Sequence, residues 1–177
     1  MKEVEVKILE VNRKNVEETL TKLGAKKVLD GEIQTIFFDF KDSRITKARD
    51  VLRLRNEDGK IELTYKKVRA DKATKNAEEY SVEVSDLEVT EIILENLGLE
   101  NVDSMLKHRV SYKLDTARFD LDRYLGKHDF IPELMEIEAE NVEAIYKYAD
   151  LLGFKPKDCL PWSTKDLIEH YSNKKKS

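Results

Sequence analysis

One cysteine, Cys159, stands in 177 residues, so neither an internal disulfide nor a cysteine metal cluster can form within the chain. It reads as a small buried residue. Long apolar runs are missing too, and nothing approaches the roughly 18 residues that a bilayer-spanning helix needs. Charges begin at Lys2 and Glu3, which speaks against a signal peptide there. These absences predict a cytoplasmic location and no membrane partner. A large excess of one charge sign is also lacking. The net charge is -4, so the molecule as a whole is not built to coat nucleic acid, and any anion site must be a local gathering of bases. Glutamine occurs once, as Gln34, amid abundant Lys and Glu, a bias typical of thermophile proteins. With 40% hydrophobic and 38% charged residues, the expectation is one soluble globular domain over 1–177, with 173–177 as a disordered Lys-rich tail.

What is abundant is a polar alternation. Glu3-Val4-Glu5-Val6-Lys7-Ile8 sends Glu3, Glu5 and Lys7 to one face of a strand and Val4, Val6 and Ile8 to the other. The same pattern recurs in Leu52-Arg53-Leu54-Arg55, in Glu79 to Val84, in Lys107-His108-Arg109-Val110, in Phe119-Asp120-Leu121-Asp122 and in Met135 to Glu140. A solvated face explains one or two such strands. Here the signs are sorted by strand: acidic pairs on three, basic pairs on two, with Lys7 and Asp122 completing the set. Acids able to hold metal beside bases able to hold phosphate suggest an enclosed site for a polyanion and its cations.

Eight strands are predicted, near 3–9, 34–40, 51–56, 60–67, 78–84, 107–113, 117–124 and 134–140. Four amphipathic helices fit between and after them, near 13–23, 88–97, 142–152 and 164–171. Asn12, Ser85-Asp86, Asn141 and Ser163 supply their N-termini, and Gly24, Gly98 and Gly153 stop the first three. A strand followed by a helix ending in Leu-Gly occurs three times. Glu57-Asp58-Gly59-Lys60 and Leu114-Asp115-Thr116-Ala117 predict tight hairpins, hence an antiparallel sheet. The expected fold is α+β, a closed antiparallel eight-stranded barrel with flanking helices, its apolar face outward and its charged face lining a lumen. Arg69 to Ala77, rich in Lys, Ala and Asp, is expected to be a mobile loop or lid.

A triphosphate carries about four negative charges, and arginine can hold phosphate oxygens through two parallel hydrogen bonds. Arg53, Arg55, Lys66, Lys107 and Arg109 are the candidate phosphate-binding residues, with Lys7. Hard divalent cations such as Mg²⁺ or Mn²⁺ take oxygen ligands, which Glu3, Glu5, Asp122, Glu136 and Glu138 can supply. Glu62, Glu140, Lys113 and Arg118 are expected on the rim or surface. His108, His128 and His170 have no ligand spacing, and Trp162 is expected to anchor the last helix.

In this ordered series the chain resembles the CYTH superfamily, the triphosphate tunnel metalloenzymes. Glu3, Glu5 and Lys7 match its N-terminal Glu-x-Glu-x-Lys. Gln34 and Phe37-Phe38-Asp39, the paired Arg53 and Arg55, then Lys66, follow in order, as do Glu79 with Glu83, Lys107 with Arg109, Asp122, and Glu136 with Glu138; Lys165 matches a lysine found in some members. The likeness runs from residue 3 to about 171. It implies a tunnel enzyme using Mg²⁺ or Mn²⁺, held by Glu3, Glu5, Glu136 and Glu138. Lys7 and Asp122 are then candidate catalytic residues. The substrate would be a small triphosphate: ATP, thiamine triphosphate or tripolyphosphate. The chain would hydrolyse it, or cyclise ATP to cAMP and pyrophosphate as class IV adenylyl cyclases do. Phe130-Ile131-Pro132-Glu133-Leu134 departs from the shorter lead into the last Glu-x-Glu of several bacterial cyclases. A non-catalytic polyphosphate or nucleotide sensor on the same barrel is the rival reading. It needs fewer acids than the chain retains. A nucleic-acid-binding barrel would interleave aromatics with bases, and the basic strands lack that pattern. A homodimer is left open.

Overall fold

The computed structural model describes residues 4–70 and 75–174. The alternating segments become eight strands: β1 (Val4–Ile8), β2 (Lys26–Phe40), β3 (Val51–Glu57), β4 (Lys60–Ala70), β5 (Lys75–Val84), β6 (Leu99–Leu114), β7 (Ala117–Leu125) and β8 (Leu134–Ala139). They form one sheet in the order β1-β8-β7-β6-β2-β3-β4-β5. The β1–β8, β8–β7, β2–β3, β3–β4 and β4–β5 ladders are antiparallel. The flanking helices are α1 (Arg13–Lys22), α2 (Arg44–Lys47), α3 (Leu87–Asn96), α4 (Val142–Leu151) and α5 (Thr164–Lys174). An eight-stranded antiparallel sheet with flanking helices is what the sequence predicts. By contact the chain divides into two compact units, Met1–Gly31 with Lys107–Ser177, and Glu32–Leu106.

In the first unit one face of β1, β6, β7 and β8 is apolar and makes the core. Val6, Ile8, Val110, Phe119, Leu121, Met135 and Ile137 meet Val16 and Leu20 of α1 and Ile145 and Ala149 of α4. Asn12 and Asn141 cap the two helices, each accepting a backbone N–H through its side chain, which stabilises a helix by about 1 kcal/mol. Both helices close on Leu-Gly, with Gly24 and Gly153 at φ +83° and +86°, a conformation glycine adopts without steric cost. At α5, Ser163 and Asp166 cap each other, with N–H to Oδ2 at 2.8 Å and N–H to Oγ at 3.3 Å. The backbone of Lys7 exchanges two hydrogen bonds with Leu160, at 2.8 and 2.9 Å, and so ties β1 to the chain that leads into α5.

In the second unit Ile36, Phe38 and Leu54 of the sheet pack with Ile45 of α2, Leu94 of α3 and Leu99. The Asp58-Gly59 turn has positive φ at both residues, 51° and 86°. Glu57 pairs with Lys60 across it, the two-residue hairpin that the sequence predicts.

Four segments differ from expectation. β2 begins at Lys26 and β6 at Leu99, eight residues before each predicted start (34 and 107). Their early parts present mostly exposed side chains, so backbone pairing alone defines them and no apolar period marks them. Arg69 to Ala77 is not a loop at its ends. Val68 pairs with Ala77, Arg69 with Asn76 and Ala70 with Lys75, extending the β4–β5 hairpin; positions 71–74 lie outside the described residues. α2 carries too few residues to show a period and was not foreseen.

Candidate active site

Strand alternation fixes which charges meet. Along β8, Met135 and Ile137 enter the core, which sends Glu136 to the opposite face. In register, Lys7 of β1 and Asp120 of β7 lie on either side of Glu136, and Glu5 and Arg118 lie on either side of Glu138. Asp122 follows Asp120 two residues on, and β6 brings Lys107, Arg109 and Ser111 to the same face. Strands covered on both faces usually read as continuous apolar runs. Here the second covered face is charged: Lys7, Lys107, Arg109, Asp120, Asp122 and Glu136 are all buried.

Arg109 stands at the centre. Its Nε and Nη2 donate to the two oxygens of Asp122, both at 2.6 Å. Nη1 donates to Asp120, and Nη2 also to Glu136 Oε2 at 2.5 Å. Lys107 Nζ shares Asp122 Oδ2 at 2.6 Å. Lys7 Nζ lies 2.9 Å from Glu136 Oε1 and 2.5 Å from Glu5. Arg118 donates to Asp120 Oδ1 at 2.8 Å and to Ser111 Oγ at 3.0 Å. The Tyr124 ring lies 5.8 Å from Lys107 Nζ, near enough for a cation–π contact.

The electrostatics follow from burial and neighbours. Burial opposes the Glu136 carboxylate, but Lys107, Arg109 and Lys7 together hold it well below the usual range. Burial likewise opposes the Lys7 ammonium, and Glu136 and Glu5 overcome it, leaving its pKa raised. Arg109 is raised well above its ordinary value, its carboxylates outweighing burial. Lys107 goes the other way: burial and the adjacent Arg109 charge lower it despite Asp122 and Glu136.

The Glu32–Leu106 unit carries a second charged face. Leu54 is fully buried in its core, so Arg53 and Arg55 turn the other way. Glu79 accepts Lys66 Nζ at 2.8 Å and faces Arg53 Nη2 at 3.5 Å. Its carboxyl is lowered, burial being outweighed by Lys66, Arg53 and Arg55. Arg55 Nε is buried with no hydrogen-bond partner among the described residues. Glu83 is largely exposed, 3.8 Å from Lys60.

The foreseen residues among those described can now be placed. Lys7, Lys107, Arg109, Asp122 and Glu136 come together, with Glu5 at the exposed margin and Glu138 opposite it in register. Arg53, Arg55 and Lys66 share the second face. Glu3 lies outside the described residues. Gln34 and Lys165 are exposed. Asp39 is buried and accepts from the backbone of Phe40, Ile45 and Thr46 at 2.7, 3.0 and 2.9 Å, so this motif residue holds α2 in place. Arg118, expected on the rim, belongs to the charged cluster, and Asp120 was not singled out although it shares the alternation of Asp122. Trp162 packs on His170 of α5 with ring centroids 4.9 Å apart, as an anchor would. Among the described residues no three His, Cys, Asp or Glu side chains are placed as a metal cluster, and no helix is long and apolar enough to cross a membrane.

The model of the family described as CYTH domain matches residues 1–152. A Methanocaldococcus jannaschii protein named "Putative adenylate cyclase" is 34% identical over 126 residues, covering 71% of this chain and 72% of that protein. Among solved structures, the PH1012 protein of Pyrococcus horikoshii is similar with a TM-score of 0.74 and 27% identity, covering 95% of this chain and 98% of that one. A Pyrococcus furiosus protein is similar with the same TM-score and 25% identity, covering 94% and 99% of the two chains.

Proposed function

This chain belongs to the CYTH domain family, and from that premise we propose that it is a metal-dependent enzyme acting on a small triphosphate. It either hydrolyses the substrate or cyclises ATP to cAMP and pyrophosphate. Barrel closure around the charged face, a cytoplasmic location and the use of Mg²⁺ or Mn²⁺ are parts of the same proposal. The observation that carries it is the burial of Arg109 among Asp120, Asp122 and Glu136. Burying ions is costly, and apolar residues of like size commonly serve stability as well or better. A buried mixed-charge face is therefore better explained by a task than by stability.

Arg53, Arg55, Lys66, Lys107 and Arg109 are assigned to the phosphates. The orphaned Nε of Arg55 is a donor that a phosphate oxygen would satisfy. Lys107, its charge disfavoured by burial and by Arg109, would have that charge favoured by an arriving anion. Glu3, Glu5, Glu136 and Glu138 are assigned to the cation. These hard oxygens suit it chemically. Glu5 and Glu138 also face each other across the β1–β8 ladder, which places two carboxylate-bearing side chains at neighbouring positions on adjacent strands. A bound divalent cation would polarise the phosphoryl oxygens and steady the leaving oxygen.

Lys7, held between Glu5 and Glu136, and Asp122, held by Arg109 and Lys107, are the catalytic candidates. Phosphates entering this face exchange places with carboxylates that already occupy Arg109 and Lys107. In hydrolysis water attacks the terminal phosphorus, the bridging P–O bond breaks, and orthophosphate and the diphosphate leave. In cyclisation the ribose 3′-hydroxyl attacks the α-phosphorus and pyrophosphate leaves. The name of the Methanocaldococcus relative favours cyclisation. The segment Phe130 to Leu134, unlike that of several bacterial cyclases, favours hydrolysis. Incubation with ATP, tripolyphosphate and thiamine triphosphate, each with Mg²⁺ or Mn²⁺, followed by product identification, separates the two. Turnover of at least one substrate is expected, with loss on exhaustive chelation and recovery on adding metal back. Tight binding without turnover would favour the sensor reading.

A further inference from the structure

Helix α3 is apolar on two opposite sides. Leu87 and Leu94, seven residues apart, share the side that packs on the core of its unit. Val89, Ile92 and Ile93, at spacings of three and four, share the other side. They are 52%, 54% and 53% exposed, and Leu97 at the helix end is 67% exposed. An ordinary surface helix carries one apolar stripe toward its core and polar residues opposite; α3 carries a second apolar stripe where polar residues are expected. The second observation is charge. From Asp86 to Leu106, the stretch that carries α3, the sequence holds six Asp or Glu residues and no Lys, Arg or His. Glu88, Glu91 and Glu95, again three and four apart, run along one flank of the ridge. Such a surface repels nucleic acid and anionic bilayers. A second copy docked ridge to ridge would set acids against acids, which costs affinity.

We propose that this ridge docks a cationic amphipathic segment of another protein, a helix in the helix-against-groove mode. Its apolar face would cover Val89, Ile92, Ile93 and Leu97, and its Lys or Arg side chains would meet Glu88 and Glu95. The ridge lies wholly within the Glu32–Leu106 unit and uses none of the residues assigned to triphosphate chemistry.

The test uses the full chain and a labelled Leu/Lys amphipathic helical peptide, with a Leu/Glu peptide of the same pattern as control, followed by fluorescence anisotropy. The Leu/Lys peptide should bind and the Leu/Glu peptide should not. Ile92→Asp with Ile93→Asp, and separately Glu88→Lys with Glu95→Lys, should each weaken binding by about tenfold or more, roughly 1.4 kcal/mol. Circular dichroism and triphosphate turnover should be unchanged in both variants. Absence of Leu/Lys binding overturns the proposal, as does binding equal to wild type in either variant. Sedimentation showing a dimer that Ile92→Asp with Ile93→Asp makes monomeric would give the ridge to a second copy. Binding to anionic phosphatidylserine vesicles that the same pair abolishes would give it to a membrane. Either result overturns the assignment.

Discussion

Glu136 takes Lys7 on one carboxylate oxygen and Arg109 on the other, so its loss removes an anion from both buried bases at once, with Glu5 and Asp122 still beside them. Removing one member of a buried ion pair typically costs about 3 kcal/mol or more, and Glu136→Gln should lower unfolding stability by that order at pH 7. The pH dependence has a defined sign. Its folded pKa is depressed, so the stability it confers is full above the unfolded value of about 4.3. That stability is lost as pH falls through the folded value. Denaturant unfolding should therefore show the wild-type advantage at pH 7 and a narrowing gap in acid; a constant gap would remove Glu136 from the linkage. Arg55 tests chemistry instead of stability. Arg55→Lys keeps the charge but loses the planar fork and should weaken turnover or substrate binding about tenfold. Leu54→Met, its fully buried neighbour, should cost less than about 1.5 kcal/mol and leave kinetics intact. The reverse pattern in folded proteins would mean that the charged and core faces of β3 have been exchanged.

At the scale of elements, α2 depends on one side chain outside it. Asp39 accepts three backbone N–H groups at and near its start. Those hydrogen bonds outweigh burial and lower its pKa. Asp39→Ala should destabilise the protein by about 1–3 kcal/mol and speed amide exchange at Ile45 and Thr46. Unchanged exchange there would show that α2 holds itself. The sequence displays Asp39 within a motif but not this task, because the acceptor precedes its helix by several residues. Alternation made β1, β3, β7 and β8 legible, since one face of each meets a core. The starts of β2 and β6 and the outer β4–β5 arms were not legible, because backbone pairing needs no side-chain pattern. In the charged face the individual acids and bases were legible. Their mutual pairing was not, since it depends on register: Lys7 opposite Glu136 and Arg118 opposite Glu138 emerge only once β8 lies between β1 and β7.

For the whole molecule, a net charge of -4 conceals both a base-bearing interior face and a stretch of thirty-one residues, 76–106, without a base. The bases should favour longer phosphate chains. Tripolyphosphate or ATP with Mg²⁺ should raise the melting temperature in a concentration-dependent way, ADP less and AMP least. Equal shifts for ATP and AMP would point to recognition of the base.

The ladder that sets Lys7 against Glu136 also sets a schedule. β8 follows its partner β1 by about 130 residues along the chain. At about 5–20 residues per second the interval is on the order of ten seconds. The Leu160 backbone that grips Lys7 arrives later still. The Glu32–Leu106 unit is continuous in sequence and is complete before β8 is made. Val4, Val6 and Ile8 spend that interval without the strand that covers them. Glu5 and Lys7 alternate with them, so the strand keeps one polar face throughout that interval, the pattern that lowers the aggregation hazard of an exposed apolar strand.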